Sequence, residues 1–256
     1  MDIQRNADSK KAETMWNKRA AGYPRYTDSE DTFEAKVLKL MNENGVDTTG
    51  LSILDVGCGS GKYTIRLAKK SAEVTATDIS GEMLRILNED AAKEGVTNIT
   101  TVHTDWEAFD SGAKKFGMVF CSTTPAVRTE KDFARVNSLA EKYVVYLGFA
   151  GKKHSDLMLK IYAKCGAEPK EFNDTPVLKA WLEKSGIKYK SVIIDEVWEK
   201  RMPAKEMREH CMEFLSGYNV TDGEKAVAEI VAEHTDSSET AYDRASVRLE
   251  LVIWEK

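Results

Sequence analysis

The chain has 256 residues, 42% hydrophobic and 31% charged, with a formal net charge of −5. That length favours one large domain or one domain carrying an insertion, and the composition suits a globular protein rather than a disordered or collagen-like one. The negative balance, with basic residues only in isolated pairs such as Lys69-Lys70, Lys114-Lys115 and Lys152-Lys153, argues against general binding to a phosphate backbone.

The predicted elements alternate. Residues 8–21 read as a polar helix carrying Trp16, and 31–43 as an amphipathic one with Phe33, Val37, Leu40 and Met41. Leu51 to Val56 is an apolar run ending in glycines, the mark of a buried strand. A helix is expected from about Lys62 to Lys70, and a second strand at Glu73 to Thr77. Ser80 has the position of an N-cap, Ile79 and Leu84 that of a hydrophobic staple, and Gly95 that of a C′ residue. Asn98 to His103, Gly117 to Cys121 and Tyr143 to Phe149 supply three more strands. Alternation of this kind implies right-handed crossovers and a mostly parallel, doubly wound α/β sheet.

The last third changes rhythm. A helix at Thr175 to Lys184 and a strand at Lys190 to Trp198 are followed by two amphipathic helices, with Pro203 suited to a first turn and Asp222 to an N-cap. Val247, Leu249, Leu251 and Ile253 alternate with polar neighbours, which is a strand pattern. The two late strands enclose a helical insertion at about 200–240 and are expected to pair antiparallel at the sheet edge. The whole chain, 1–256, reads as a single elaborated domain: a helical segment (1–48), a ligand-binding core (49–150) and a substrate-side half (151–256). Cys58, Cys121, Cys165 and Cys211 form no CxxC pair, which suits a reducing compartment. No metal site is expected, because His210-Cys211 has no partner at ligand spacing. The polar start, Met1 to Asn6, does not resemble a signal peptide. The longest apolar stretch, Tyr143 to Ala150, is far short of the roughly 20 residues that span a bilayer. A cytoplasmic chain with no membrane and no nucleic-acid partner is the expectation.

The informative stretch is Leu54-Asp55-Val56-Gly57-Cys58-Gly59-Ser60-Gly61-Lys62. A strand that runs into alternate glycines and then a helix places backbone close to a nucleotide-like ligand. Its spacing is G-x-G-x-G. The dinucleotide fingerprint G-x-G-x-x-G would put its third glycine where Lys62 stands. The P-loop pattern fails at Val56 and Tyr63. Asp78 ends the second strand, where a carboxylate can accept from both ribose hydroxyls. Asp105-Trp106 follows the third, where a carboxylate can take an exocyclic adenine amine while Ile79 covers the base.

Together, Leu54 to Gly61, Asp78 and Asp105-Trp106 resemble the first three cofactor motifs of class I S-adenosylmethionine-dependent methyltransferases. The resemblance covers about residues 50–150. It implies a seven-stranded Rossmann-like sheet with the last strand antiparallel, S-adenosyl-L-methionine as cofactor and S-adenosyl-L-homocysteine as product. It assigns the methionine part to Asp55 and the loop Gly57, Cys58, Gly59 and Gly61. The ribose falls to Asp78 beside Ile79, and the adenine to Asp105 and the Trp106 backbone, with Ser122 at the fourth strand end. Gly117 departs from the acidic residue common in the fourth motif. Ser122-Thr123-Thr124-Pro125 lacks the Asn-Pro-Pro-aromatic sequence of adenine-amino methyltransferases, and no paired-glutamate loop is evident.

The expected activity is methyl transfer to a small-molecule acceptor by in-line displacement, in a monomer or homodimer. A NAD-dependent oxidoreductase and a non-catalytic S-adenosylmethionine-binding module stay open as alternatives. Trp16, Arg19, Tyr23 and Tyr26 form an aromatic-plus-basic cluster that could meet a substrate, or else pack the helix onto the domain. His154 and Tyr23 are the candidates for a general base. His234 and the methionines at 202, 207 and 212 read as structural.

Overall fold

The computed structural model describes residues 3–151, 154–169, 174–216, 218, 220 and 222–256, with backbone alone at 3–7 and 154. The elements in chain order are α1 (Ile3–Ala20), α2 (Phe33–Glu43), β1 (Ser52–Val56), α3 (Lys62–Ala68), β2 (Glu73–Asp78), α4 (Gly81–Lys93), β3 (Ile99–His103), β4 (Phe116–Ser122), α5 (Glu130–Leu139) and β5 (Ala140–Phe149). They continue with β6 (His154–Ser155), α6 (Asp156–Cys165), α7 (Asp174–Lys184), β7 (Tyr189–Pro203), α8 (Ala204–Leu215), α9 (Gly223–Glu233) and β8 (Thr240–Glu255). The strand order is β3-β2-β1-β4-β5-β8-β6, with β7 also paired to β8. The β1–β2, β1–β4, β2–β3 and β4–β5 pairs are parallel. The short β6 pairs antiparallel with β8. Setting that two-residue strand aside leaves the expected Rossmann-like mixed sheet.

The described residues fall into two compact units. The first holds residues up to Gly148, Asp174–Val192 and Leu251–Lys256; the second holds Phe149–Asn173 and Ile193–Glu250. In the first unit, strand alternation sorts the faces. Val119 and Cys121 of β4 join a core with Phe133 and Val136 of α5, Leu178, Trp181 and Leu182 of α7, and Val252 and Trp254 of β8. The intervening Phe120 packs against Tyr63 of α3, ring centroids 5.1 Å apart. So α5 and α7 cover one face and α3 the other. On the α3 side Ile65, Ala76, Leu87 and Ala91 pack around Tyr26.

Local signals explain the helix ends. The Ser80 hydroxyl accepts from Met83 N–H, and Gly95 takes φ +67° just past α4, as expected. Asp222 is the residue before α9, but it sits at φ +56° and its side chain makes no cap bond. Pro203 precedes α8 rather than opening it. In the second unit, Met207 and Cys211 of α8 and Val227, Ile230 and Val231 of α9 pack on Leu157 and Ile161 of α6, with Met202 and Met212 at the margin. His234 ends α9, with its ring nitrogens near Lys160 Nζ and the Tyr242 carbonyl. Among the described residues no helix is long and apolar enough to cross a membrane.

Candidate active site

The loop after β1 is built from three left-handed turns of backbone: Gly57 at φ +69°, Gly59 at +54° and Gly61 at +81°. The three are needed for different reasons. A Cβ on Gly57 would stand 2.0 Å from Thr124 Oγ1, and one on Gly61 would stand 2.4 Å from Leu87 Cγ. Packing as well as conformation therefore demands glycine at both. At Gly59 a Cβ would meet only the Tyr23 ring, at 3.9 Å. Gly59 is thus the uncrowded position of the three.

The next strand closes on this loop. Asp78 Oδ2 accepts the Gly59 N–H at 2.8 Å, and Oδ1 accepts the Ser80 N–H at 2.8 Å. Each oxygen keeps a lone pair after one bond, enough for a pair of ribose hydroxyls. Burial raises the Asp78 carboxyl above its ordinary value, and the two N–H donors pull it back. Asp55, 2% exposed, accepts the Thr64 hydroxyl at 2.7 Å. Burial pushes its carboxyl up to about 7, outweighing that hydrogen bond, and the charge of Asp78 adds to the rise. Burial likewise pushes the Cys58 thiol well up, which leaves it a poor nucleophile.

Asp105 opens a turn: its Oδ1 accepts the Glu107 N–H at 3.0 Å, and its Oδ2 accepts the Ser9 hydroxyl. Trp106 is 5% exposed. Its ring stacks on Phe109 and lies 4.1 Å from the Arg135 guanidinium, which also donates to the Trp106 carbonyl. The Trp106 side chain is thus a core anchor. Ile79 is half-buried, and its carbonyl faces His103 Nε2 at 2.9 Å. Ser122 ends β4, half-buried, and Thr123 after it holds φ +44°. The sheet topology brings Asp55, Asp78, Asp105 and Ser122 to the C-terminal ends of adjacent strands, where open α/β sheets bind ligands.

The leading cluster divides. Trp16 packs on Ala20, Met83 and Ile86, with the Arg19 guanidinium 5.1 Å above its ring. Tyr23 meets Trp16 edge-on at 6.5 Å. Burial raises the Tyr23 phenol, and the charge of Asp78 raises it further, so the group stays protonated at neutral pH. Tyr26 is 8% exposed, and its hydroxyl donates to Asp28; packing accounts for it. The His154 side chain lies outside the described residues; its backbone pairs with Ser246. Among the described residues no His, Cys, Asp and Glu side chains gather as a metal site.

Sequence reasoning missed some polar groups around the loop. Tyr63, next to the first residue of α3, has a buried hydroxyl with no hydrogen-bond partner among the described residues. Lys62 pairs with the buried Glu34 of α2, and Ser60 Oγ donates to the Pro24 carbonyl at 2.8 Å. These contacts join segments that share no local pattern.

A glycine loop with a strand-end carboxylate on its N–H is the arrangement expected for an adenosyl group, and Asp78 keeps lone pairs free. Comparison with known proteins agrees. A family model described as a methyltransferase domain matches residues 53–143. The magnesium protoporphyrin IX methyltransferase from Synechocystis, solved with bound SAH, superposes with a TM-score of 0.53 over 93% of this chain and 99% of that one, at 17% identity; that likeness is one of fold. The Arabidopsis thaliana magnesium protoporphyrin IX methyltransferase is 31% identical over 135 residues, 51% of this chain and 42% of the relative. A tRNA/tmRNA (uracil-C(5))-methyltransferase from Psychromonas ingrahamii is 28% identical over 120 residues, 44% of this chain and 29% of the relative. The chain spans less than half the length of both curated relatives. Over residues 53–143 this chain matches a methyltransferase domain, and its sheet has the Rossmann-like fold of solved S-adenosylmethionine-dependent methyltransferases.

Proposed function

We propose that the chain transfers a methyl group from S-adenosylmethionine to a small-molecule acceptor. The carrying observation is the Gly59 N–H to Asp78 contact, which fixes a carboxylate beside an open glycine while leaving it lone pairs for a ribose. When bound, the cofactor supplies a methyl already activated on a sulfonium, so the protein's part is binding and orientation. Asp78 and Asp105 would hold the adenosyl half. Asp55 and the loop would hold the amino-acid half. Tyr23, protonated and beside Gly59, would serve as a donor rather than a base. The net charge of −5 with scattered basic pairs favours a small acceptor over a polynucleotide, although the matched relatives include enzymes named for RNA as well as for porphyrins.

Calorimetry and thermal melting with S-adenosylmethionine, S-adenosylhomocysteine and NAD test the reading. A ligand at about a hundred times its Kd stabilises the fold by about 2.7 kcal/mol. Stabilisation by the two adenosyl compounds and not by NAD is expected; no response to either adenosyl compound sinks the proposal. Incubation with labelled methyl donor and separated small-molecule and RNA fractions of a cell extract then decides the acceptor class. Label in the RNA fraction alone would reverse the assignment, and binding with no transfer would favour a non-catalytic module.

A further inference from the structure

Helix α1 is tied down along one stripe. Ser9, Glu13 and Asn17 stand four residues apart, a spacing that shares one helix face. Ser9 Oγ donates to Asp105 Oδ2. Glu13 Oε1 lies 3.2 Å from His103 Nε2. Asn17 Oδ1 accepts the Ser80 hydroxyl at 2.7 Å and the Glu82 N–H at 3.3 Å. These partners stand at the end of β3, in the turn after it, and at the start of α4. One of the ties reaches directly to a carboxylate proposed to face the ligand.

We infer that Ser9 is a positioning residue for base recognition: its hydroxyl fixes the Asp105 carboxylate so that Asp105 accepts the exocyclic amine of adenine. This rests on the adenosyl reading above and goes beyond it, because it makes α1 part of the machinery that tells one purine from another. The Glu107 N–H holds only Oδ1 of Asp105. The terminal torsion of an aspartate is broad, so a single bond leaves the group free to rock. The Ser9 hydroxyl holds the second oxygen. With one bond on each oxygen, both retain a lone pair. An amine N–H satisfies that lone pair. An oxo group at the same position of a purine has no hydrogen to give and meets lone pair with lone pair. A site built to pair with a donor rejects an analogue that lacks it, and rejects it more strongly when the acceptor is held in place.

The test compares calorimetric binding of S-adenosylhomocysteine and of S-inosylhomocysteine, which carries hypoxanthine in place of adenine, to the full chain and to Ser9→Ala and Ser9→Thr. Ser9→Ala is expected to lose roughly three- to tenfold in affinity for the adenosyl compound and little for the inosyl one, so their ratio narrows by that factor. Ser9→Thr, which keeps the hydroxyl, restores the ratio. An unchanged ratio, whatever the separate affinities do, means that Ser9 only docks the helix. A widened ratio means that it occupies the place the amine needs. Either result overturns the inference. Failure of the unmodified protein to bind S-adenosylhomocysteine would instead remove the adenosyl reading itself.

Discussion

The carboxylate of Asp78 holds the backbone N–H of Gly59 at 2.8 Å, so the end of β2 fixes the middle of the loop that leaves β1. The side chain that would grip a ribose is therefore also the one that sets the shape of the loop.

Asp78→Ala removes both roles. The variant is expected to fold and to lose about 1.5–3 kcal/mol in affinity for S-adenosylhomocysteine, the usual worth of hydrogen bonds to a charged group. Calorimetry on a variant shown folded by circular dichroism measures it. Undiminished affinity would move the ribose elsewhere.

The loop glycines should separate by environment. Gly61→Ala meets both a left-handed backbone and Leu87 Cγ at 2.4 Å, whereas Gly95 has φ +67° with open space around it. Backbone strain alone costs on the order of 1–2 kcal/mol. Gly95→Ala should show about that, and Gly61→Ala about 1–3 kcal/mol more from overpacking. Urea denaturation of the two variants side by side gives the difference; equal losses would mean that Leu87 gives way freely.

Asp55 ties stability to pH. Burial holds its folded carboxyl at about 7, against 3.8 in an open chain. Between those values the folded state keeps a proton that the unfolded chain has released. The contribution of Asp55 to stability is therefore full below about pH 4 and falls as pH rises through about 7. Asp55→Asn cannot ionise and still offers an acceptor to the Thr64 hydroxyl. Denaturation from about pH 4.5 to about pH 8 should show the variant gaining on the unmodified protein as pH rises. A difference that does not change with pH would show that the carboxyl ionises as readily as it does in water.

Tyr63 carries an unmet donor. Its ring packs on Phe120, and its hydroxyl is buried without a hydrogen-bond partner among the described residues. Tyr63→Phe keeps the ring and removes the orphan, so the ligand-free protein should become more stable by about 1–3 kcal/mol. A lower melting temperature would show that the hydroxyl is satisfied after all, by the neighbouring Ser122 or by water.

The sequence carried the parts of this fold whose signals are local. The run from Leu54 to Gly61, the Ser80 cap and the Gly95 stop each use neighbours within a few residues, and each stands where it was expected. Helices α5 and α6 went unread. In α5 only Phe133 and Val136 are buried, too sparse a stripe to stand out, although the Thr129–Asp132 capping box was there to find. In α6 the apolar face of Leu157, Met158, Ile161 and Tyr162 follows β5 so closely that it reads as continued loop. At the site, the carboxylates at the strand ends were legible because β-strand ends are local events. The Arg135 guanidinium over Trp106 and the Ser9 hydroxyl on Asp105 were not, since each joins residues distant in sequence whose meeting only the folded chain decides.

Leu251–Lys256 belongs to the same compact unit as the glycine loop, and Trp254, 1% exposed, donates its indole N–H to Asn137 Oδ1 at 2.9 Å. A growing polypeptide therefore cannot seal this core while it is still being made up to β7. Closure of this unit is a long-range event, completed only when residues 251–256 join it.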